Sequence, residues 1–134
     1  MEQTLPEKLE EFIKAELEDA AVYRQMAQIA PGTYGRQLLL EFAEDEQNHA
    51  QEFRDIYQYI TGKKYIPEIE PVQLHGTFPE MLRDRVLAES RDYQKYGREY
   101  AATTNPILRN AYEQARTDEA THALQLLYLL GEFR

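Results

Sequence analysis

The amino-acid sequence predicts an all-α fold, a four-helix bundle with one long crossover between helices 2 and 3. Three observations predict it. Apolar residues recur every three or four positions in four segments of roughly 25 residues. Short breaks with glycine or proline interrupt them at 30–35 and 104–106, and a longer segment with two prolines occupies 62–76. Because short turns join antiparallel neighbours, we expect two helical hairpins joined by one long connection.

The connection at 62–76 is long enough to cross the whole bundle. Fifteen extended residues span about 50 Å, whereas a helix of about 27 residues is roughly 40 Å long. A crossing would leave the second and third helices parallel. Two prolines and the apolar residues Ile66, Ile69 and Val72 favour an ordered crossover on the surface over a loose loop.

Each helix has one stripe of residues at spacings of three and four that we expect to face the core. The apolar and aromatic members are Leu9, Ile13, Ala20, Tyr23, Ala27 and Ala30 in the first helix; Leu38, Phe42, Phe53, Ile56 and Ile60 in the second; Leu82, Val86, Tyr93, Tyr96 and Tyr100 in the third; and Leu108, Ala115, Leu126, Leu129 and Phe133 in the fourth.

A shift of 73 residues aligns the two halves of the chain without a gap. The motif TLPE at 4–7 aligns with TFPE at 77–80, and both predict a helix start with Thr as N-cap and Glu three residues later. The motif DEQNH at 45–49 aligns with DEATH at 118–122. Further matched pairs are Leu9 and Leu82, Ala15 and Ala88, Glu16 and Glu89, Asp19 and Asp92, Tyr23 and Tyr96, and Arg36 and Arg109. We therefore expect a single domain, 1–134, that repeats one hairpin as 4–61 and 77–134.

Composition excludes several classes of function. The net charge of −9 argues against a nucleic-acid partner held through phosphates. No apolar run is long enough for a membrane span, and the acidic N-terminus lacks the features of a signal peptide. With no cysteine, the chain has no disulfide, thiolate metal site or thiol nucleophile. We expect a cytoplasmic protein.

The predicted core stripes contain charged residues, which are costly to bury unless they are paired or bound to metal. They are Glu16, Glu46, His49, Glu89, Glu119 and His122. A Glu and a His three residues apart project from the same helix face. Two such helices, with one glutamate from each of the other two, provide the ligands of a dinuclear metal site.

A single E-x-x-H motif usually marks a solvated helix face, so one copy would be weak evidence. Two copies in register, each with a core glutamate 30 residues upstream, favour the metal site. Four carboxylates also balance the charge of two divalent cations. The remaining histidine, His75, is expected on the surface of the crossover.

Through these residues the chain resembles the ferritin-like di-iron proteins, and among them the rubrerythrins. The resemblance covers essentially the whole chain. It implies that Glu46 and Glu119 bridge two metals, with Glu16, Glu89 and the two histidines as terminal ligands. It further implies that Asp45 and Asp118 accept hydrogen bonds from ligand histidines; an ordinary solvated carboxylate is the alternative.

The resemblance also assigns places near the metals to Tyr23 and Tyr96, two helical turns beyond Glu16 and Glu89. There they reach toward ligands on facing helices, as hydrogen-bonded structural groups or as redox-active ones. We favour the structural role.

Two departures from the rubrerythrin pattern bear on function. Rubrerythrins have an extra glutamate three residues after the third-helix ligand, where this chain has Asp92, with Asp19 as its repeat mate. Aspartate is one methylene shorter, so Asp92 is either a ligand or a close neighbour of the metal. The second departure is the lack of a cysteine-bound rubredoxin-like domain, so electrons must come from a separate donor, such as a rubredoxin-like protein.

The resemblance implies a non-haem, oxygen-bridged di-iron oxidoreductase that reduces hydrogen peroxide or dioxygen, a peroxidase or oxidase. Carboxylates with imidazoles suit iron or manganese and also bind zinc. Three alternatives remain: an iron-handling ferroxidase, a manganese catalase-like enzyme, and a bundle stabilised by a structural metal. The resemblance also implies a homodimer, for which Tyr57, Tyr59, Tyr65 and Ile66 offer surface unless they pack on their own crossover; a monomeric mass in solution would contradict it.

Overall fold

The computed structural model describes residues 2–133, and within that range the chain forms four α-helices and no strand. They are α1 (Leu5–Ile29), α2 (Thr33–Thr61), α3 (Phe78–Ala102) and α4 (Pro106–Leu130). The predicted all-α class is confirmed, and four helices are what a ferritin-like four-helix bundle requires. Residues 62–76 contain no helix or strand.

The chain divides into two compact units, one ending at Gln73 and the other starting at Leu74. In the first unit α1 packs along α2, and in the second α3 packs along α4. Helices α1 and α3 each have 25 residues and begin 73 positions apart, as do the starts of α2 and α4. This is the spacing that the predicted duplication requires; the duplication itself stays a prediction.

Both predicted capping boxes are present. The Thr4 hydroxyl accepts a hydrogen bond from the Glu7 amide while the Glu7 carboxylate accepts one from the Thr4 amide. Thr77 and Glu80 repeat the arrangement at the start of α3. Each box satisfies backbone N–H groups that the first helical turn leaves without a partner within the helix.

The matched arginines donate hydrogen bonds to backbone carbonyls at the turn of each hairpin. Arg36 donates from Nε to the Ala27 carbonyl at 3.3 Å. Arg109 donates from Nη1 to the carbonyls of Tyr100 and Thr103 at 2.9 and 3.0 Å. Because Ala27 and Tyr100 are themselves 73 residues apart, the same arginine satisfies the same C-terminal carbonyl in both halves.

Most predicted core residues are buried, with a few corrections. Ile60 and Tyr93 are wrong as core predictions, since they are 43% and 39% exposed. Ile60 lies in the last turn of α2, one residue before the helix ends, and Tyr93 lies under the guanidinium of Arg116. Val86, Tyr100 and Phe133 are half-buried. Buried core residues that the stripes missed are Phe12, Met26, Leu39, Ala43, Ala50, Tyr57, Met81, Ala111 and Tyr112.

Candidate metal centre

The first unit brings Glu16 of α1 together with Glu46 and His49 of α2, and we call these three residues the first half-site. His49 Nδ1 lies 3.5 Å from Glu16 Oε2 and 3.6 Å from Glu46 Oε1. All three side chains are at most 5% exposed. The i, i+3 spacing on α2 points both of its members toward α1, as the sequence predicts.

The second unit repeats the arrangement with Glu89 of α3 and with Glu119 and His122 of α4, which we call the second half-site. His122 Nδ1 lies 3.6 Å from Glu89 Oε2 and 3.8 Å from Glu119 Oε1. These side chains are at most 1% exposed. Two hairpins with matched sequence motifs therefore bury the same three residue types in the same contacts.

The spacing within each half-site fits ligands that converge on an ion. An N–H···O hydrogen bond usually measures about 2.7–3.2 Å, which is shorter than the 3.5–3.8 Å seen here. Two ligand atoms about 2.1 Å from one ion, at a tetrahedral angle, are about 3.4 Å apart. In each half-site the three residues offer ligand atoms within 4.8 Å of one another. Oxygen and imidazole donors of this kind suit iron, manganese or zinc.

The surroundings of Glu89 favour its ionised carboxylate, which is the form that binds a cation. Burial by itself raises the pKa of this carboxyl, but its interactions with His122 and Glu119 and the charge of Arg85 outweigh burial and lower the pKa to about 2. Arg85, one turn before Glu89, donates from Nη2 to Glu89 Oε1 at 3.3 Å. The carboxylate is therefore ionised at neutral pH.

Arg85 was missed by the sequence analysis, although the repeat contains a signal for it. Its counterpart 73 residues earlier is Phe12, a buried aromatic residue. A charged residue at a position that is apolar in the other half, one turn from a ligand glutamate, indicates a contact with that glutamate.

Asp92 lies close to the second half-site. One of its oxygens is within 4.8 Å of a Glu119 oxygen, and Oδ1 is 3.4 Å from Lys95 Nζ. Asp19, its repeat mate on α1, is half-buried, as are Asp45 and Asp118 beside Glu46 and Glu119. The roles predicted for these four aspartates stay predictions. His75 is exposed, as expected.

Tyr23 and Tyr96 are fully buried, but their surroundings differ. The Tyr23 ring meets Phe42 edge-on at 5.5 Å, whereas the Tyr96 ring stacks on Tyr112 at 6.3 Å. Burial, with the nearby charge of Glu99, raises the pKa of Tyr112 to about 12, so its hydroxyl stays protonated at neutral pH. The position that matches Tyr112 in the first unit is Leu39.

Comparison with known proteins gives one family. The sequence pattern of the rubrerythrin family matches residues 7–123. A protein of Bacillus subtilis (strain 168), described as the uncharacterized protein YhjR, is 29% identical over 124 residues, which cover 92% of this chain and 85% of the relative. No solved structure matches. A match over most of the chain, together with two buried Glu–Glu–His sets, means that this chain belongs to the rubrerythrin family.

Proposed function

We propose that the two half-sites together hold two iron ions and that the protein reduces hydrogen peroxide or dioxygen with electrons from a separate donor protein. One observation carries the proposal: each hairpin of a rubrerythrin-family chain buries two glutamates and a histidine around a common point. Burying four carboxylates is costly. Two divalent cations would neutralise them.

The role of each side chain is the one that the resemblance to the rubrerythrins implies. Glu46 and Glu119 would serve both metals, while Glu16, Glu89, His49 and His122 would each hold one. When bound, two ferrous ions would supply the two electrons that, with two protons from solvent, reduce H₂O₂ to two molecules of water. Asp92, near Glu119 and 3.4 Å from Lys95 Nζ, would be a ligand or a close neighbour of the metal and would favour reaction with peroxide. Tyr23 and Tyr96 position the ligands.

Two cavities of the described residues lie away from the proposed ligands. A cavity of about 220 Å³ is lined by residues of the α2 C-terminal half and by Lys64, Tyr65 and Ile66. Another of about 410 Å³ lies between the start of α3 and the end of α4. Neither is lined by any of the six proposed ligands.

The test is to load the purified protein with two equivalents of Fe²⁺ without oxygen and to mix it with H₂O₂ or O₂ in a stopped-flow spectrometer. We expect one H₂O₂ to oxidise both ferrous ions, faster than O₂ does and faster than free Fe²⁺ reacts. Reaction with neither oxidant, with only zinc in the native protein, would refute the proposal in favour of a structural metal. Sustained oxidation of Fe²⁺ beyond two equivalents would indicate a ferroxidase instead, and O₂ release from H₂O₂ by the manganese-loaded protein would indicate catalase chemistry.

A further inference from the structure

The two half-sites differ at one position that touches a ligand. In the second, Arg85 lies one turn before Glu89 on α3, is 13% exposed, and contacts Glu89 Oε1 at 3.3 Å. In the first, the position one turn before Glu16 is Phe12, whose ring packs against Phe53 at 5.9 Å between centroids. A phenyl ring brings neither a charge nor a strong hydrogen-bond donor to that position.

Because of this contact, the two oxygens of Glu89 have different partners. Oε1 faces the Arg85 guanidinium, and Oε2 faces His122 Nδ1 at 3.6 Å. An oxygen that accepts from arginine has one lone pair fewer for a metal and donates less charge to it, so Oε1 is the weaker ligand atom of the two. Arginine also stays protonated at any ordinary pH. Its charge, partly shielded from water, repels a cation bound to Glu89 more strongly than an exposed charge would.

On the basis of the proposed dinuclear centre, we propose that Arg85 makes the two metal positions unequal. The first ion fills the half-site of Glu16, Glu46 and His49. The second binds more weakly in the half-site of Glu89, Glu119 and His122. Arg85 is therefore a positioning residue that acts through Glu89 and sets the order in which the centre is filled and emptied.

The test is a titration of the metal-free protein with Mn²⁺, followed by electron paramagnetic resonance. At one equivalent, wild type should show bound mononuclear Mn²⁺, and the second equivalent should convert that signal to an exchange-coupled pair. We expect the two dissociation constants to differ by about tenfold or more, since the charge of one guanidinium acts on one position at close range. Arg85→Met keeps the length of the side chain and removes its charge, so coupled pairs should already appear at one equivalent.

Two further variants make the result specific. Arg83→Met removes the same charge from an exposed position on the same helix and should behave as wild type. Arg85→Lys keeps the charge and should keep the two binding steps apart. Equal binding steps in wild type, or unchanged steps in Arg85→Met, would overturn the inference while leaving the dinuclear centre intact. Failure of wild type to bind two Mn²⁺ ions would instead overturn the proposed function.

Discussion

At the scale of single residues, matched positions in the two halves have the same type but different neighbours. Glu16 and Glu89 both face a histidine, yet only Glu89 has an arginine one turn before it on its own helix. Tyr23 meets Phe42, whereas Tyr96 stacks on Tyr112. The repeat therefore preserves the candidate ligands, while the residues around them have diverged.

Replacement of Asp92 tests whether this residue favours reaction with peroxide over reaction with dioxygen. Asp92→Ala should keep two metals bound, because the six proposed ligands remain, while slowing oxidation of the ferrous centre by H₂O₂ about tenfold or more and by O₂ much less. Stopped-flow oxidation of the iron-loaded variants gives both rates. Asp84→Ala, at an exposed position of α3, is the matched control, and Asp19→Ala tests whether the first half kept the same role. Equal slowing with both oxidants, or none, would remove Asp92 from the reaction.

What the sequence reveals at this scale depends on periodicity. The six buried Glu and His residues were predicted because each lies on a core stripe and recurs 73 residues away. Tyr93 was misplaced because the stripe of α3 is irregular there and an aromatic ring under an arginine can lie at the surface. Arg85 was missed because a charge on a helix normally indicates solvent, and only its contact with Glu89 gives it another meaning.

At the scale of helices, the residues at which each helix begins and ends could be predicted from the sequence more readily than the face that each helix buries. The motif Thr-x-Pro-Glu placed the starts of α1 and α3. The start of α2 was less clear, because its N-cap is Gly32 and no side chain caps it. Its end is Gly62, which adopts a positive φ of 75° that favours glycine. The core stripe of α3 contains few aliphatic residues, so its buried face could be identified only from the structure.

The capping boxes give helix α1 a stability that depends on pH. Hydrogen bonds from the Thr4 backbone amide and hydroxyl lower the pKa of Glu7 below 4.5, outweighing a small effect of burial. A lowered folded-state pKa means that the box stabilises fully above pH 4.5 and loses this contribution as the pH falls through the folded-state value. Glu7→Ala should therefore lower the melting temperature at pH 7 by about a few degrees, and by less at pH 3.

Circular dichroism melts at the two pH values check this prediction. Glu18→Ala, at an exposed position in the middle of α1, removes a carboxylate outside the box and serves as the control. The same pair of measurements on Glu80→Ala applies to α3, since Thr77 lowers the pKa of Glu80 by the same hydrogen bonds. A loss of stability that is identical at pH 7 and pH 3 would show that the charge of Glu7 contributes nothing.

At the scale of the whole molecule, no helix within residues 2–133 is long and apolar enough to span a membrane. The four residues proposed for a homodimer differ in their surroundings. Tyr57 and Tyr65 pack on each other, with their ring centroids 5.7 Å apart. Tyr59 and Ile66 are 87% and 72% exposed. A second apolar surface, unforeseen in the sequence, consists of Leu124, Leu127 and Tyr128 on the outer side of α4. The fold class followed from helix periodicity, whereas outward-facing apolar residues of α4 resemble core residues in sequence and needed the structure. The homodimer stays a prediction.

The central claim is that the two half-sites make one centre, and metal content after removal of a single bridge tests it most directly. Wild-type protein and Glu119→Ala, each purified without added metal and then loaded with Fe²⁺ under anaerobic conditions, are compared by metal analysis after desalting. We expect two ions per chain in wild type and the loss of both in Glu119→Ala, because a bridging carboxylate serves both ions. Retention of one ion by Glu119→Ala would mean two independent mononuclear sites, and fewer than two ions in wild type would contradict a dinuclear centre altogether.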